Sequence, residues 1–312
     1  MAPHRFGFVA VCGRPNVGKS TLVNALVGEP VAIATAHPQT TRERMLGIWS
    51  GPDFQAVLVD TPGLHRPRSA LNRYMVGEAL AGCRDVDLVL LLAELPALTV
   101  DKAQTWLPGD VAREGLEQLV SLGKPIVLVL TKHDRLREAA ALLPVTRAWS
   151  KLHAFEAVVP VAALEGHGLD ALGREIVARL PPGEAHYPDD QLTDRPLRWH
   201  LAEFVRAELF EHLGEELPYS CAVVVERYDA GAEKDSVRAT IYVERESQKP
   251  MVIGRGAQVI KAISIAARGR LERLTGRPAD LRLRVDVAAN WTRDPARLAS
   301  LGYSAIDHGA PR

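Results

Sequence analysis

Three short stretches of this chain set out phosphate, metal and base chemistry in a fixed order. Gly13-Arg14-Pro15-Asn16-Val17-Gly18-Lys19-Ser20 fits Gly-x-x-x-x-Gly-Lys-Ser in full, between an apolar run and a segment of helical spacing. The glycines let backbone N–H groups turn inward around a β-phosphate, and the following helix N-terminus adds partial positive charge. Lys19 then reaches the β- and γ-phosphates, the Ser20 hydroxyl ligates Mg²⁺, and Thr21 completes the phosphate-binding set. Asp60-Thr61-Pro62-Gly63 follows the apolar run from Ala56 to Val59. An Asp at a strand end is placed to hold Mg²⁺, directly or through water, and the Gly63 N–H can bond a γ-phosphate and sense its loss. Thr131-Lys132-His133-Asp134 follows the run from Ile126 to Leu130. A carboxylate at Asp134 accepts hydrogen bonds from the N1–H and exocyclic amine of guanine. Adenine lacks that donor pair and would leave the carboxylate desolvated and unpaired, at a cost of several kcal/mol. The aliphatic stem of Lys132 would cover the base. The expected ligand is GTP or GDP with Mg²⁺.

These stretches resemble the translation-factor-like class of small GTPases. Thr131 stands where that class usually has Asn, and the last base-contacting box, usually Ser-Ala-Lys, has Ala162-Ala163-Leu164 as its counterpart. There the Ala163 N–H is offered to the guanine carbonyl, without a Ser hydroxyl to support the loop. Gln39-Thr40-Thr41-Arg42 lies where the first switch segment belongs. Thr41 is preferred as the Mg²⁺ and γ-phosphate ligand, because related GTPases place that Thr directly before an Arg; Thr40 is the alternative. Ras-like enzymes carry a water-positioning Gln directly after the glycine of the second switch, and here the position is Leu64. Leucine cannot orient water by hydrogen bonding, so slow intrinsic hydrolysis is expected. Relatives of the class bind K⁺ through an Asn in the phosphate loop, a position occupied here by Asn16.

A second chemistry lies further on. Val252-Ile253-Gly254-Arg255-Gly256-Ala257-Gln258-Val259-Ile260-Lys261 resembles the heart of a KH domain, in which a Gly-x-x-Gly loop clamps a single-stranded nucleic-acid backbone. Glycine allows close approach, and Arg255 and Lys261 add charge. The fourth loop position is Ala257 instead of glycine. A GTPase domain followed by a KH domain resembles the Era family of bacterial ribosome-assembly GTPases. Further stretches carry that resemblance: Leu217-Pro218-Tyr219-Ser220, Val243-Glu244-Arg245-Glu246, Gln248-Lys249-Pro250-Met251, Asn290-Trp291 and Leu301-Gly302-Tyr303. It implies a GTP-hydrolysing switch that binds 16S ribosomal RNA near its 3′ end and assists 30S subunit maturation. It also implies a cytoplasmic monomer with peripheral association at the cytoplasmic membrane. Two other readings stay open: an RNA-binding scaffold with negligible turnover, and a membrane or cell-cycle GTPase with incidental RNA affinity.

The elements that must position these residues are legible in outline. With 312 residues, two domains are expected. Short apolar runs at Phe6–Cys12, Ala56–Val59, Leu88–Leu92, Pro125–Leu130 and Val158–Ala162 alternate with helical segments at Val111–Leu122, Arg137–Leu152 and Leu169–Leu180. That alternation predicts an α/β GTPase domain over 1–180, a mostly parallel sheet with helices on both faces and ligands at the carboxyl ends of the strands. Pro181-Pro182-Gly183 opens an expected linker over 181–195. Over 196–312 the order helix, strand, strand, helix, helix, strand predicts a small α+β domain with a C-terminal extension, which the resemblance makes a type II KH domain. Its helix over Val259–Leu274 reads as one or two pieces, with Ile263-Ser264-Ile265 at the candidate break, and Leu281–Val287 alternates as a half-exposed strand.

Bulk properties exclude other classes. Lys plus Arg and Asp plus Glu both number 38, so the chain is no generally basic coat protein. Charge is nevertheless uneven: from Lys249 to Arg284 nine basic residues face only Glu272 and Asp280, which fits either a polyanion surface or a solvated helix face. Cys12, Cys83 and Cys221 form no CxxC pair and fit buried thiols in a reducing compartment. The start lacks the long apolar run of a signal peptide, and no run approaches the roughly 18 residues of a membrane span.

Overall fold

A computed structural model describes residues 3–35, 37, 40–67, 69–214 and 216–303. Gln39, expected in the first switch segment, and 304–312 of the expected C-terminal extension lie outside these residues. The chain forms two compact units. The first takes the N-terminal part through Pro67 and then Met75–Asp194; the second takes the stretch ending at Tyr74 and everything described from Arg195 onward.

In the first unit, β1 (Arg5–Gly13) runs into α1 (Lys19–Val27), followed by β2 (Met45–Gly51) and β3 (Phe54–Asp60). The helix α2 (Ala70–Ala81) precedes β4 (Leu88–Glu94), α3 (Val100–Gln104), α4 (Asp110–Val120), β5 (Ile126–Thr131), α5 (Leu142–Ser150), β6 (Ala157–Val161) and α6 (Leu169–Arg179). The six strands order as β2-β3-β1-β4-β5-β6, all parallel except β2. Every residue of β5 is buried, as are all residues of β4 except its last, because helices cover both faces of a parallel sheet. Such strands read as continuous apolar runs, and that made them visible in the sequence. The strand β2 and the helices α2 and α3 are additions to that reading.

The expected linker over 181–195 departs from expectation in a specific way. Up to Asp194 it belongs to the first unit and is strapped to the sheet through its backbone. Phe6 N donates to Pro181 O, Gly183 N to His4 O and Ile48 N to Leu192 O, at 3.1, 2.9 and 2.9 Å. Leu46 N reaches Asp194 Oδ1 at 2.9 Å. The buried Gln55 completes the strap: its Oε1 accepts from His186 N and Tyr187 N, and its Nε2 donates to Tyr187 O, all at 2.9 Å. A buried amide is tolerated only when so satisfied. The strap also covers unpaired groups on the sheet's edge strand β2.

In the second unit, α7 (Leu197–His212) is followed by β7 (Ala222–Asp229), β8 (Asp235–Val243), α8 (Lys249–Ile253), α9 (Gln258–Thr275), β9 (Ala279–Val287) and α10 (Pro295–Ser300). The sheet orders as β7-β8-β9, with β7 antiparallel and β9 parallel to β8. The helix–strand–strand–helix–helix–strand order is as expected, but the helix pair divides elsewhere. There is no break at Ile263-Ser264-Ile265: α9 is one 18-residue helix, and Ser264 Oγ donates to Leu281 O at 2.8 Å. The first helix of the pair is the short α8, and Gly254–Ala257 lies between the two. Strand β9 alternates as expected, with Arg282, Arg284 and Asp286 exposed.

Candidate nucleotide site and nucleic-acid loop

The sheet register gathers the nucleotide motifs at one end. Val11 of β1 pairs with Asp60 of β3, Gly13 with Leu92 of β4, Glu94 of β4 with Thr131 of β5, and Thr131 with Val161 of β6. All motifs therefore leave the carboxyl ends of adjacent strands, where α/β folds bind ligands.

The phosphate loop needs its glycines. Gly13 has φ 151°, and a Cβ there would stand 2.5 Å from Leu92 O. Gly18, with φ 97°, caps α1 in a left-handed conformation, and Asn16 also has positive φ, 63°. Val17 is buried and anchors the loop, while Arg14 is exposed. Lys19 is buried, and its Nζ donates to Arg14 O at 3.0 Å and Gly13 O at 3.4 Å. The second switch is locked against this loop: Leu64 N donates to Gly13 O at 2.9 Å, and a Cβ on Gly63 would meet Pro15 N at 2.7 Å. Gly63 is thus fixed by close approach to Pro15 as well as by any ligand role.

Three oxygens converge beside Lys19. Ser20 Oγ donates to Asp60 Oδ2 at 2.7 Å and lies 3.1 Å from Thr41 Oγ1. Asp60 Oδ1 is buried without a hydrogen-bond partner among the described residues. Burial pushes the Asp60 carboxyl up to about 6, against the pull of Lys19 and Ser20. Burial likewise pushes the Lys19 ammonium down, opposed by Asp60. A hard divalent cation wants this donor set of hydroxyls and carboxylate, and the orphaned carboxylate oxygen is the group it would satisfy. The residues therefore fit Mg²⁺. Of the two switch threonines, the structure brings Thr41 to Ser20; Thr40 lines the same cleft beside Asn16, Thr21 and Gly63.

Two expected site residues turn elsewhere. Thr61 is fully buried, and its hydroxyl donates to Val11 O at 2.8 Å, tying β3 to β1. Leu64 is buried in the apolar cluster with Leu91, Leu116 and Leu119, close to Gly115 of α4. Pro62 is buried between them.

On the base side, Lys132 has φ 57°, and Asp134 is exposed on the short 3₁₀ turn that follows. Lys132 Nζ meets Glu94 Oε2 at 2.8 Å, and Arg135 lies 3.6 Å from the other oxygen. Glu94 is a residue that motif reading missed. Its one sequence signal is a strand-end position equivalent to that of Asp60. Thr131 Oγ1 is directed to Ala93 O at 3.4 Å. The last box closes without a Ser: Ala162 and His167 exchange backbone hydrogen bonds of 3.0 and 3.2 Å, pinning the turn that carries Ala163.

In the second unit, the family-like stretches interlock. Gln248 Oε1 accepts from Glu244 N and Arg245 N at 2.9 Å, and its Nε2 donates to Ser220 Oγ at 3.2 Å. Trp291 Nε1 donates to Ser220 O at 2.9 Å, and its fully buried ring stacks on Tyr303. This network supports α8 and the loop after it. There Gly254 has φ 74°, and a Cβ would meet Val259 Cγ2 at 2.4 Å. Gly256 and Ala257 follow with φ 59° and 61°, and Ala257 N closes the turn on Gly254 O at 3.1 Å.

The basic cluster resolves into two groups. Arg268 pairs with Glu272, Arg270 with Glu208, Arg277 with Asp235, Arg282 with Asp280, Arg284 with Glu226, and Lys249 with Glu246 and Asp286. Arg255, Lys261 and Arg273 are exposed, and no acidic partner lies within 4.0 Å of them among the described residues. Two of these three belong to the loop and to the first turn of α9.

Comparison with known proteins agrees with both halves. Residues 8–132 match the family model described as a 50S ribosome-binding GTPase, and residues 216–292 match that of a KH domain. The chain is 44% identical over 303 residues to GTPase Era of Xanthomonas axonopodis pv. citri (strain 306), covering 97% of this chain and 98% of that protein. It is 42% identical over 306 residues to GTPase Era of Geobacter metallireducens (strain ATCC 53774 / DSM 7210 / GS-15), covering 97% and 99%. Two crystal structures each match at TM-score 0.89 and 34% identity, over 96% of this chain and 99% of theirs. One is a single-residue variant of Aquifex aeolicus Era bound to GDP·AlF₄⁻, and the other is Era in complex with MgGDPNP and nucleotides 1506–1542 of 16S ribosomal RNA. A phosphate-loop GTPase domain followed by a KH domain, similar to these relatives over almost its whole length, places this chain in the Era family of GTPases.

Proposed function

We propose that this chain is a GTP-hydrolysing switch that binds 16S ribosomal RNA near its 3′ end and assists maturation of the 30S subunit. The observation that carries the reading is the pairing of two sites in one chain. One joins Lys19, Ser20, Thr41 and Asp60 within hydrogen-bond and Coulomb reach; the other is a KH loop flanked by Arg255 and Lys261, which have no acidic partner among the described residues.

The geometry supports the following roles. Backbone N–H groups of Gly13–Ser20 and the start of α1 cradle the phosphates, and Lys19 exchanges its carbonyl partners for phosphate oxygens. Ser20, Thr41 and Asp60 would hold Mg²⁺, with Asp60 acting directly or through water; the ion supplies charge neutralisation at the β- and γ-oxygens. Asp134 reads guanine and Lys132 covers it, with its ammonium steadied by Glu94. The Ala163 N–H would donate to the guanine carbonyl. Leu64 sits in the core and cannot orient water by hydrogen bonding, so Asn16 would hold a monovalent cation that assists hydrolysis. Gly254, Arg255, Gly256, Ala257 and Lys261 make up the surface that meets the RNA backbone. Peripheral membrane association and a monomeric state rest on the family resemblance alone. Among the described residues, no helix is long and apolar enough to cross a membrane.

The test is single-turnover GTP hydrolysis with and without a 16S 3′-end RNA. Stimulation by RNA is expected, with faster turnover in K⁺ than in Na⁺. A rate indifferent to RNA would overturn the RNA-linked switch and leave the scaffold reading or, with substantial turnover, the membrane or cell-cycle reading.

A further inference from the structure

The loop after α8 contains a residue that its own backbone disfavours. Positions 254, 256 and 257 all have positive φ, and glycine occupies the first two. The third is Ala257, at φ 61° and ψ 23°, a left-handed conformation that an L side chain adopts at a cost. The turn holds it there: Ala257 N bonds Gly254 O, and α9 starts at the next residue. Space inside the fold explains Gly254, whose Cβ would overlap Val259. For the methyl of Ala257 the fold offers no comparable reason, since glycine would relieve the backbone at that position.

Glycine has a second use in such a loop, which is to let another backbone come close. In a Gly-x-x-Gly loop the nucleic-acid backbone is clamped against the loop, and the half-buried Ala257 takes the fourth position of that pattern here. We propose that Ala257 is a brake on RNA binding. It holds the nucleic-acid backbone off the loop and leaves the grip to Arg255 and Lys261, the exposed cations beside it that have no acidic partner among the described residues. This inference rests on the RNA-binding reading above. Its consequence is a complex that exchanges faster than one made by a full Gly-x-x-Gly loop, with charge carrying most of the affinity.

The experiment compares the full-length wild type with Ala257→Gly, using an RNA spanning nucleotides 1506–1542 of 16S ribosomal RNA, as in the Era complex, with GDPNP and Mg²⁺. Kd and dissociation rate are measured over a range of salt. Ala257→Gly should bind roughly three- to tenfold tighter, mainly through slower dissociation. Its salt slope should match the wild type, because the same cations are engaged, and its thermal midpoint should rise. Equal or weaker binding by a folded Ala257→Gly, with the wild type binding normally, overturns the brake alone. Absence of binding by both proteins overturns the RNA-binding reading and the brake with it.

Discussion

The phosphate loop and the KH loop are built on the same plan and differ in what they do with charge. Each is a glycine-containing turn leading into a helix, α1 or α9, and each holds one non-glycine residue at positive φ, Asn16 or Ala257. In the first, the charges are inside. Lys19 and Asp60 are both buried, and one Asp60 carboxylate oxygen has no hydrogen-bond partner among the described residues. In the second, Arg255 and Lys261 stand in solvent. A nucleotide has a fixed shape and fixed charges, so desolvated groups can be preset for it, at the expense of the empty protein's stability. An RNA strand is a long polyanion, and exposed cations that act over distance suit it better. Asparagine tolerates the left-handed region and alanine does not, so the phosphate loop is relaxed where the KH loop is strained.

That contrast can be broken at either end. The largest effect is expected from Lys19→Ala, which should lower GTP turnover by roughly a thousandfold while leaving RNA affinity with no nucleotide present unchanged. Steady-state kinetics and RNA titration check both halves. Asp134→Asn should weaken GTP by about a hundredfold and move preference toward xanthosine triphosphate. Retained GTP selectivity in a competition assay would remove Asp134 as the guanine reader.

A third prediction concerns the stored charge. The Asp60 carboxyl in the folded protein is raised to about 6 from an ordinary 3.8. The folded state therefore favours the protonated form, so stability falls as pH rises from about 4 to 6 and stays low above that. Without nucleotide and Mg²⁺, Asp60→Asn should stabilise by about 3 kcal/mol at pH 7.5 and about half that at pH 5. Denaturant melts at the two pH values decide it; a gain independent of pH would mean that Asp60 is not a strained anion. The smallest effect is Arg255→Ala, which should weaken RNA binding several-fold and reduce the salt slope by about 0.7. Arg284→Ala, removing a cation already held by Glu226, should leave the slope alone.

Legibility followed the same physics. Strands β1 and β3 to β6 were readable because central parallel strands are apolar throughout, and the motifs sit at their ends. Strand β2 was not. It is an edge strand carrying Gly47, needed because a Cβ would meet Val23 of α1 at 2.8 Å, and glycine in a short run reads as a turn. The strap from Pro181 to Asp194 was invisible because backbone groups bind it to the sheet, with Gln55 as the main side-chain contributor. A supposed break at Ser264 reflected local propensity, which packing of α9 against the sheet overrode. The basic stretch read equally as a polyanion surface or a solvated helix face because several of its acidic partners are remote in sequence. Glu208 and Glu226 are brought to Arg270 and Arg284 only by the fold, and what remains unpaired is concentrated at the loop that the Gly-x-x-Gly resemblance had marked.

The central claim is that this chain is a GTP-dependent switch that binds RNA, and a switch requires that nucleotide state change RNA affinity. It is tested most directly by the affinity of the full chain for 16S nucleotides 1506–1542, measured with GDPNP and with GDP at one salt concentration. Tighter binding with GDPNP, by about tenfold, is the predicted result, since an allosteric coupling of about 1.4 kcal/mol is ordinary. Equal affinity in the two nucleotide states would contradict the account.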